Sequence, residues 1–267
     1  MNMNDKKYIK QLILKNKPET LNQTLTKISE IVLNYARRLN LKRDENRQDF
    51  IVEKMIDYLK NNYPNVLNSD ISIVDIGGGN GNVISAINTT VNGNKNNFVC
   101  VETKNEWVES YPCDNDNILY KYWNNDVIDI PNDFCDIVLC MVSLHHMHND
   151  TINKAIGEIK RILKPGGILM IKEHDAETIM TYNFIEWEHH LYHILDCAYN
   201  NKLVDADEYA KHSINNFNDK SYWQIMLEKT HGFELKDRTN RFLYGPYQRD
   251  HKNTTNLYWE IYEKKVL

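Results

Sequence analysis

The sequence is short of several things. Its five cysteines (Cys100, Cys113, Cys135, Cys140 and Cys197) include no C-x-x-C pair, which excludes the usual zinc-ribbon and thioredoxin-type motifs. Cys100, Cys135 and Cys140 lie in or beside apolar runs, where a free thiol behaves as a small hydrophobe. A reduced, cytoplasmic protein is the expectation. No apolar run is long enough to cross a bilayer, so no membrane partner is expected. Residues 1–10 are polar and lack the apolar core of a secretory signal. Positive charge is not in surplus: 32 Lys and Arg face 37 Asp and Glu, for a net charge of −5. That balance argues against sequence-independent binding of nucleic acid, although a local basic patch remains compatible with it. There is no H-E-x-x-H metal signature, no internal repeat and no low-complexity linker. A length of 267 residues and 42% hydrophobic content suit one domain of ordinary core size with an appended subdomain.

Glycine is also scarce, yet four of the ten glycines fall between positions 77 and 81. They follow the β-branched run Ile71-Ser72-Ile73-Val74-Asp75-Ile76, which reads as a buried strand. Helix-compatible residues follow from Val83. A strand, a glycine-rich turn and a helix together form a pocket for a nucleotide-like ligand. Glycine lets the backbone approach the ligand closely, and the helix N-terminus offers unpaired N–H groups.

The rest of the chain alternates strand and helix. Residues 1–68 read as a helical N-terminal cap, with apolar residues at helical spacing from Ile28 to Ala36 and from Phe50 to Leu59. The basic residues Arg37-Arg38 and Lys42-Arg43 read as solvated. Tyr63-Pro64 ends the second helix. Phe98 to Glu102 is a second strand ending in an acid, placed where a carboxylate can hold ribose hydroxyls. Ile118 to Trp123 is a third strand, and Phe134 to Val142 a strong fourth. A helix from Asp150 or Thr151 to Leu163 ends at Lys164-Pro165-Gly166-Gly167, and Ile168 to Lys172 is the fifth strand. Residues 176–219 read as a helical lid insertion within a domain spanning 69–267. Ser221 to Thr230 is a helix. Phe233 to Leu243 and Leu257 to Lys264 are two strands joined through Gly245-Pro246, which implies an antiparallel pair. The predicted fold is α/β: a doubly wound, mostly parallel seven-stranded sheet with an antiparallel last strand.

These residues resemble the class I S-adenosylmethionine-dependent methyltransferases over roughly 68–265. Asp75-Ile76-Gly77-Gly78-Gly79-Asn80-Gly81 matches the D-x-G-x-G-x-G loop of that family. Glu102 stands where the family places its ribose-binding acid. Asn125-Asp126-Val127 resembles its adenine-reading segment. Phe134 to Val138 followed by Leu144-His145-His146 resembles its fourth-strand motif, and Leu163 to Gly167 a turn frequent before its fifth strand. A nicotinamide dehydrogenase would need a third glycine at position 82, where Asn82 stands. The resemblance implies S-adenosyl-L-methionine as cofactor. It implies binding by Asp75, Gly77, Gly78, Gly79, Asn80, Gly81, Glu102, Asp126, Val127 and Met141.

Methyl transfer from a sulfonium relies mainly on positioning, and needs a base only when the acceptor is protonated. The candidates lie after the fourth strand (Ser143, His145, His146) and after the fifth (Glu173, His174, Asp175). Of these, His145, His146, Glu173, His174 and Asp175 are the catalytic candidates. In the insertion, Glu186, Glu188, His189, His190 and His193 include i,i+4 pairs that a helix could present to a metal. With no fixed signature, no metal is assigned, and purified protein is expected to carry no stoichiometric Zn or Mn. The insertion's Tyr182, Trp187, Tyr192, Tyr199 and Tyr209 read as lid core. The expected reaction is methyl transfer to a small molecule. An RNA cap guanine-N7 enzyme and a non-catalytic binding or scaffold protein are the alternatives. The acceptor partner is thus a small molecule or RNA.

Overall fold

The β-branched run before the glycines forms a strand, β1 (Ile73–Ile76), and every residue of it is buried. In the computed structural model, residues 21–40, 47–64, 70–103, 116–207, 209, 216–239 and 257–266 are described. Contacts divide the chain into two units, one of residues 1–45 and 182–214, the other of residues 46–181 and 215–267.

The larger unit holds a sheet of seven strands. After β1 come β2 (Phe98–Thr103), β3 (Leu119–Trp123), β4 (Cys135–Met141), β5 (Leu163–His174), β6 (Phe233–Thr239) and β7 (Leu257–Lys264). Their order is β3-β2-β1-β4-β5-β7-β6. The pairs among β1 to β5 are parallel, while β7 runs antiparallel to both β5 and β6. The chain order reverses direction between β1 and β4. Ligands of open α/β sheets bind beyond the carboxyl ends of the strands at such a reversal.

Strand side chains alternate between two apolar layers. Val74, Ile76, Val138, Cys140, Leu169, Ile171, Tyr258 and Tyr262 lie in one layer. Ile73, Ile137, Leu139, Ile168, Met170, Trp259 and Ile261 lie in the other. Both faces being covered, the strands read as near-continuous apolar runs. The first layer is covered by helix α4 (Asn149–Ile162), which buries Ile152, Ala155, Ile156, Ile159 and Ile162. Burying each large aliphatic there contributes about 1.5–3 kcal/mol. The second layer is covered by α2 (Arg47–Asn62) through Val52, Met55, Ile56 and Leu59, and by α3 (Asn82–Val91) through Ile84 and Ile87.

The smaller unit is built on α1 (Leu21–Leu39) and residues of α5 (Ile179–Tyr199). Leu25, Ile28, Val32, Leu33 and Ala36 pack with Ile194 and Ala198. Ser29 Oγ accepts from Val204 N at 2.8 Å, and Arg37 Nε donates to Asn201 at 2.6 Å.

Several boundaries differ from the sequence expectation. Contacts do not keep residues 1–68 together: α2 belongs with the sheet, whereas α1 groups with the insertion. The reason is the apolar face of α2, which matches α3 and the second core layer. The turn Lys164-Pro165-Gly166-Gly167 is a bulge within β5. Leu163 pairs with Cys135 and Ile168 with Ile137, so the extra residues loop out. Lys164 Nζ ties that bulge to Asp136 at 2.7 Å. At the other end β5 runs on through Glu173 and His174, which pair with Tyr258 and Leu257. These two residues therefore lie inside the strand rather than after it. The helix expected from Ser221 is α6 (Lys220–Ile225), followed by a π-helical turn over Met226–Thr230. The expected continuation of β6 to Leu243, the Gly245-Pro246 loop, Lys42-Arg43 and Cys113 lie outside the described residues. Among the described residues, no helix is long and apolar enough to cross a membrane.

Candidate functional site

The carboxyl ends of β1 and β4 are joined directly. Ser143 Oγ donates to Ile76 O at 2.8 Å. A Cβ on Gly77, whose φ is +72°, would lie 2.5 Å from Ser143 Cβ. Glycine is thus required there for two reasons, conformation and space. Gly77 N also donates to Val101 O at 2.8 Å, which ties the loop to β2. At Gly79 φ is +59°, and a Cβ would meet nothing within 4 Å. The loop is open at that point, leaving room for a ligand to approach the backbone.

Acids sit under and beside the loop. Glu102 Oε1 accepts from Gly79 N at 2.5 Å, and the Tyr120 hydroxyl donates to Gly79 O. Asp75 is 1% exposed. Neither of its carboxylate oxygens has a hydrogen-bond partner among the described residues. Burial, and secondly the charge of Glu102, push its pKa up to about 7. Gly78 passes directly over it: a Cβ there would lie 2.7 Å from Asp75 Oδ2.

Asp126 and Val127 are exposed on the loop after β3. Trp123 Nε1 donates to Asp126 O at 3.2 Å. The following turn is held from α4, where Glu158 accepts from Ile128 N at 2.7 Å and Arg161 donates to Ile128 O and Ile130 O. Met141 is half-buried at the end of β4.

Beyond β4 the backbone is strained. Val142 adopts φ +56°, a left-handed conformation that a β-branched residue rarely takes. Its N–H donates to Lys172 O at 2.7 Å. This sharp turn leads into a short 3-10 segment, Leu144–His146. There His145 is fully buried and Glu173 is 1% exposed. His145 Nδ1 lies 2.6 Å from Glu173 Oε2, and Glu173 Oε1 accepts from Leu144 N at 3.1 Å. Both carboxylate oxygens are therefore engaged and the carboxylate is locked. His145 Nε2 lies 3.1 Å from Nε2 of the exposed His146. The rings of His174 and Phe217 wall the other sides of His145, at 5.3 and 4.9 Å between centroids.

The structure thus gathers His145, His146, Glu173 and His174 at one place, while Asp175 has a different task. Its carboxylate accepts from Lys220 Nζ at 2.7 Å and from Lys220 N at 3.2 Å. It holds the start of α6, and its salt bridge keeps the Lys220 ammonium protonated beyond the ordinary range. Three neighbours of these groups escaped the sequence reading. Tyr120 and Phe217 carry no motif. Tyr258 is hidden in an apolar strand, and its pairing with Glu173 shows only in the folded chain.

Comparison with known proteins fits this architecture. Residues 44–237 match the family described as the methyltransferase domain, and the chain belongs to that family. Its sheet is that of the class I S-adenosylmethionine-dependent methyltransferases. Among curated proteins, none matches the sequence. Among solved structures, the YcgJ protein of Bacillus subtilis is 16% identical with a TM-score of 0.54, covering 81% of this chain and 99% of its own. A SAM-dependent methyltransferase from Aquifex aeolicus is 15% identical with a TM-score of 0.53, covering 86% and 97%. The CurJ carbon methyltransferase is 16% identical with a TM-score of 0.54, covering all of this chain and 72% of that one. At these identities the likeness is one of fold.

The residues present fit the cofactor that the fold implies. An unpartnered buried carboxylate under an open glycine loop is the complement of a cationic or hydrogen-bond-donating ligand group. The loop over it carries the space such a ligand needs.

Proposed function

We propose that this protein transfers a methyl group from S-adenosylmethionine to a small molecule whose reacting atom carries a proton. Asp75, Gly77, Gly78, Gly79, Asn80 and Gly81 hold the methionine part, Glu102 the ribose, and Asp126 and Val127 the adenine, with Met141 contributing from the end of β4. When bound, the cofactor supplies an electrophilic methyl group. The chain's own residues supply position and a base.

The observation that carries this reading is the buried pair His145–Glu173. A carboxylate at Nδ1 fixes that nitrogen as the N–H donor and leaves Nε2 basic. His145 Nε2 faces the exposed His146 ring, so the proton lost by the acceptor enters the enzyme through this histidine pair. Glu173 then stabilises the imidazolium that forms. The acceptor atom gains the methyl group as it gives up its proton, and its charge is unchanged. His174 and Phe217 keep the imidazole in place. A guanine-N7 acceptor needs no base, so the buried dyad favours the small-molecule reading over the cap reading. The scaffold alternative leaves both the dyad and the orphaned Asp75 without a purpose. The four described cysteines are free thiols, which supports work in the reducing cytoplasm.

The test has two parts. Calorimetry with S-adenosylmethionine should show binding that Gly79→Arg removes. A tritiated-methyl screen across metabolite pools, protein and capped RNA should label a small molecule. Glu173→Gln should then lower kcat by about 10²–10⁴ with the cofactor Kd unchanged. Wild-type protein that does not bind the cofactor, or a Glu173→Gln enzyme at full rate, sinks the reading.

A further inference from the structure

Tyr258 is 5% exposed, and its hydroxyl has no hydrogen-bond partner among the described residues. It stands opposite Glu173 in the β5–β7 ladder. Paired residues project from the same face of a sheet, so the phenol lies on the dyad's side. Three carboxylates act on the hydroxyl: Glu260, Glu173 and Asp175. Each is already committed elsewhere. Glu260 accepts from Arg238 Nε and from the Tyr262 hydroxyl, both at 2.7 Å. Glu173 accepts from Leu144 N and pairs with His145. Asp175 accepts from Lys220. Each of these three carboxylates has its partners, and the Tyr258 hydroxyl is left without one among the described residues. Buried polar groups left in that state are uncommon and call for a missing partner.

We propose that the Tyr258 hydroxyl binds the methyl acceptor, and that the carboxylates around it select an uncharged or cationic acceptor over a phosphorylated or carboxylated one. This rests on the methyltransferase reading above. Burial and the negative neighbours hold the phenolic proton far beyond its ordinary range. The group therefore acts as a hydrogen-bond donor and not as a base. A donor needs a lone pair, which a carbonyl, an ether or a hydroxyl oxygen of the acceptor provides. An anionic group placed there would face the field of the same three carboxylates.

Tyr258→Phe separates a binding role from a structural one. Removing an unsatisfied buried hydroxyl leaves Tm unchanged or raises it. Calorimetry should give the same Kd for S-adenosylmethionine in both proteins. A cell metabolite extract is then split on an anion exchanger at neutral pH, and each fraction and total RNA are offered with the tritiated cofactor. Label should enter the unretained fraction. The variant should need about tenfold more of that fraction for half-saturation, with kcat little changed. The proposal is overturned by label confined to the retained fraction or RNA, or by unaltered half-saturation in the variant. It is equally overturned by a Tm loss of several degrees, which would mean that the hydroxyl holds a structural water. Cofactor binding with no label in any fraction refutes it together with catalysis. Failure of the wild type to bind the cofactor refutes the underlying reading instead.

Discussion

Asp75→Asn probes the glycine loop from beneath. The carboxyl is raised from the ordinary 3.8 to about 7 because it is buried beside Glu102 without a donor. That displacement corresponds to about 4 kcal/mol of native-state cost for the ionised group. The stability it lends the unliganded protein is fully present below about pH 4. There the group is protonated in both folded and unfolded states. That stability is lost as pH rises through about 7, where the buried carboxyl ionises. Asn is close in shape and never ionises. The unliganded variant should therefore melt higher than wild type at about pH 8, with a ceiling of order ten degrees for a chain of this size, and the difference should shrink as pH falls below about 7 and vanish near pH 4. Ligand binding should move the opposite way. If the cofactor's positive charge needs an ionised Asp75, wild-type affinity should weaken by about eightfold between roughly pH 7.5 and pH 6. The Asp75→Asn protein should bind poorly at both. Differential scanning fluorimetry and calorimetry measure the two halves independently. A variant that is no more stable at the higher pH, or that binds the cofactor like wild type, refutes the reasoning.

Two further outcomes follow from the packing. Val142→Gly relieves a left-handed β-branched residue, worth about 1–2 kcal/mol, against about 0.5–1 kcal/mol of added chain entropy. Its urea midpoint should match or slightly exceed that of wild type, and a large loss would show that the Val142 side chain is needed in place. Ile156→Ala empties a fully buried site on α4 and should cost about 2–5 kcal/mol by urea unfolding, with the cofactor Kd unchanged.

The sheet was readable because its signals are local. The apolar runs of β4 and β5 and the apolar face of α4 are set by residues close in sequence. The sequence between β6 and β7 carries no helical spacing, and two successive strands without a helix pattern between them imply the antiparallel pairing. The glycine loop after β1 was readable for the same reason, since Asp75 and the glycines lie within one short stretch. What escaped depends on contacts across the chain. Glu173 and His174 looked like loop residues after a strand ending at Lys172. Their strand character comes from pairing with Tyr258 and Leu257, which lie far along the chain. The separation of α1 from α2 depends on which core each apolar face matches, and amphipathic periodicity alone does not tell. Asp175 carried the same chemistry on paper as Glu173. Only the placement of Lys220 shows that it holds a helix start.

Two buried carboxylates near the crevice end in opposite circumstances, and the contrast indicates where charge is managed. Asp75 has no hydrogen-bond partner among the described residues and sits beside another acid, which is the setting that the proposed cationic ligand would relieve. Glu173 has both oxygens engaged before any ligand is present, so it orients a neighbour. Environments that set two like groups apart in this way assign their roles. Had Asp75 been bound by a lysine, the loop would have had no use for a positively charged ligand. Had Glu173 lacked the Leu144 N–H, its carboxylate could rotate away from His145 and leave the tautomer undetermined. The peptide N–H of Leu144 is aimed by the turn at Val142, which gives the backbone strain a purpose. It turns the chain so that one carboxylate on β5 meets both the backbone and the imidazole after β4.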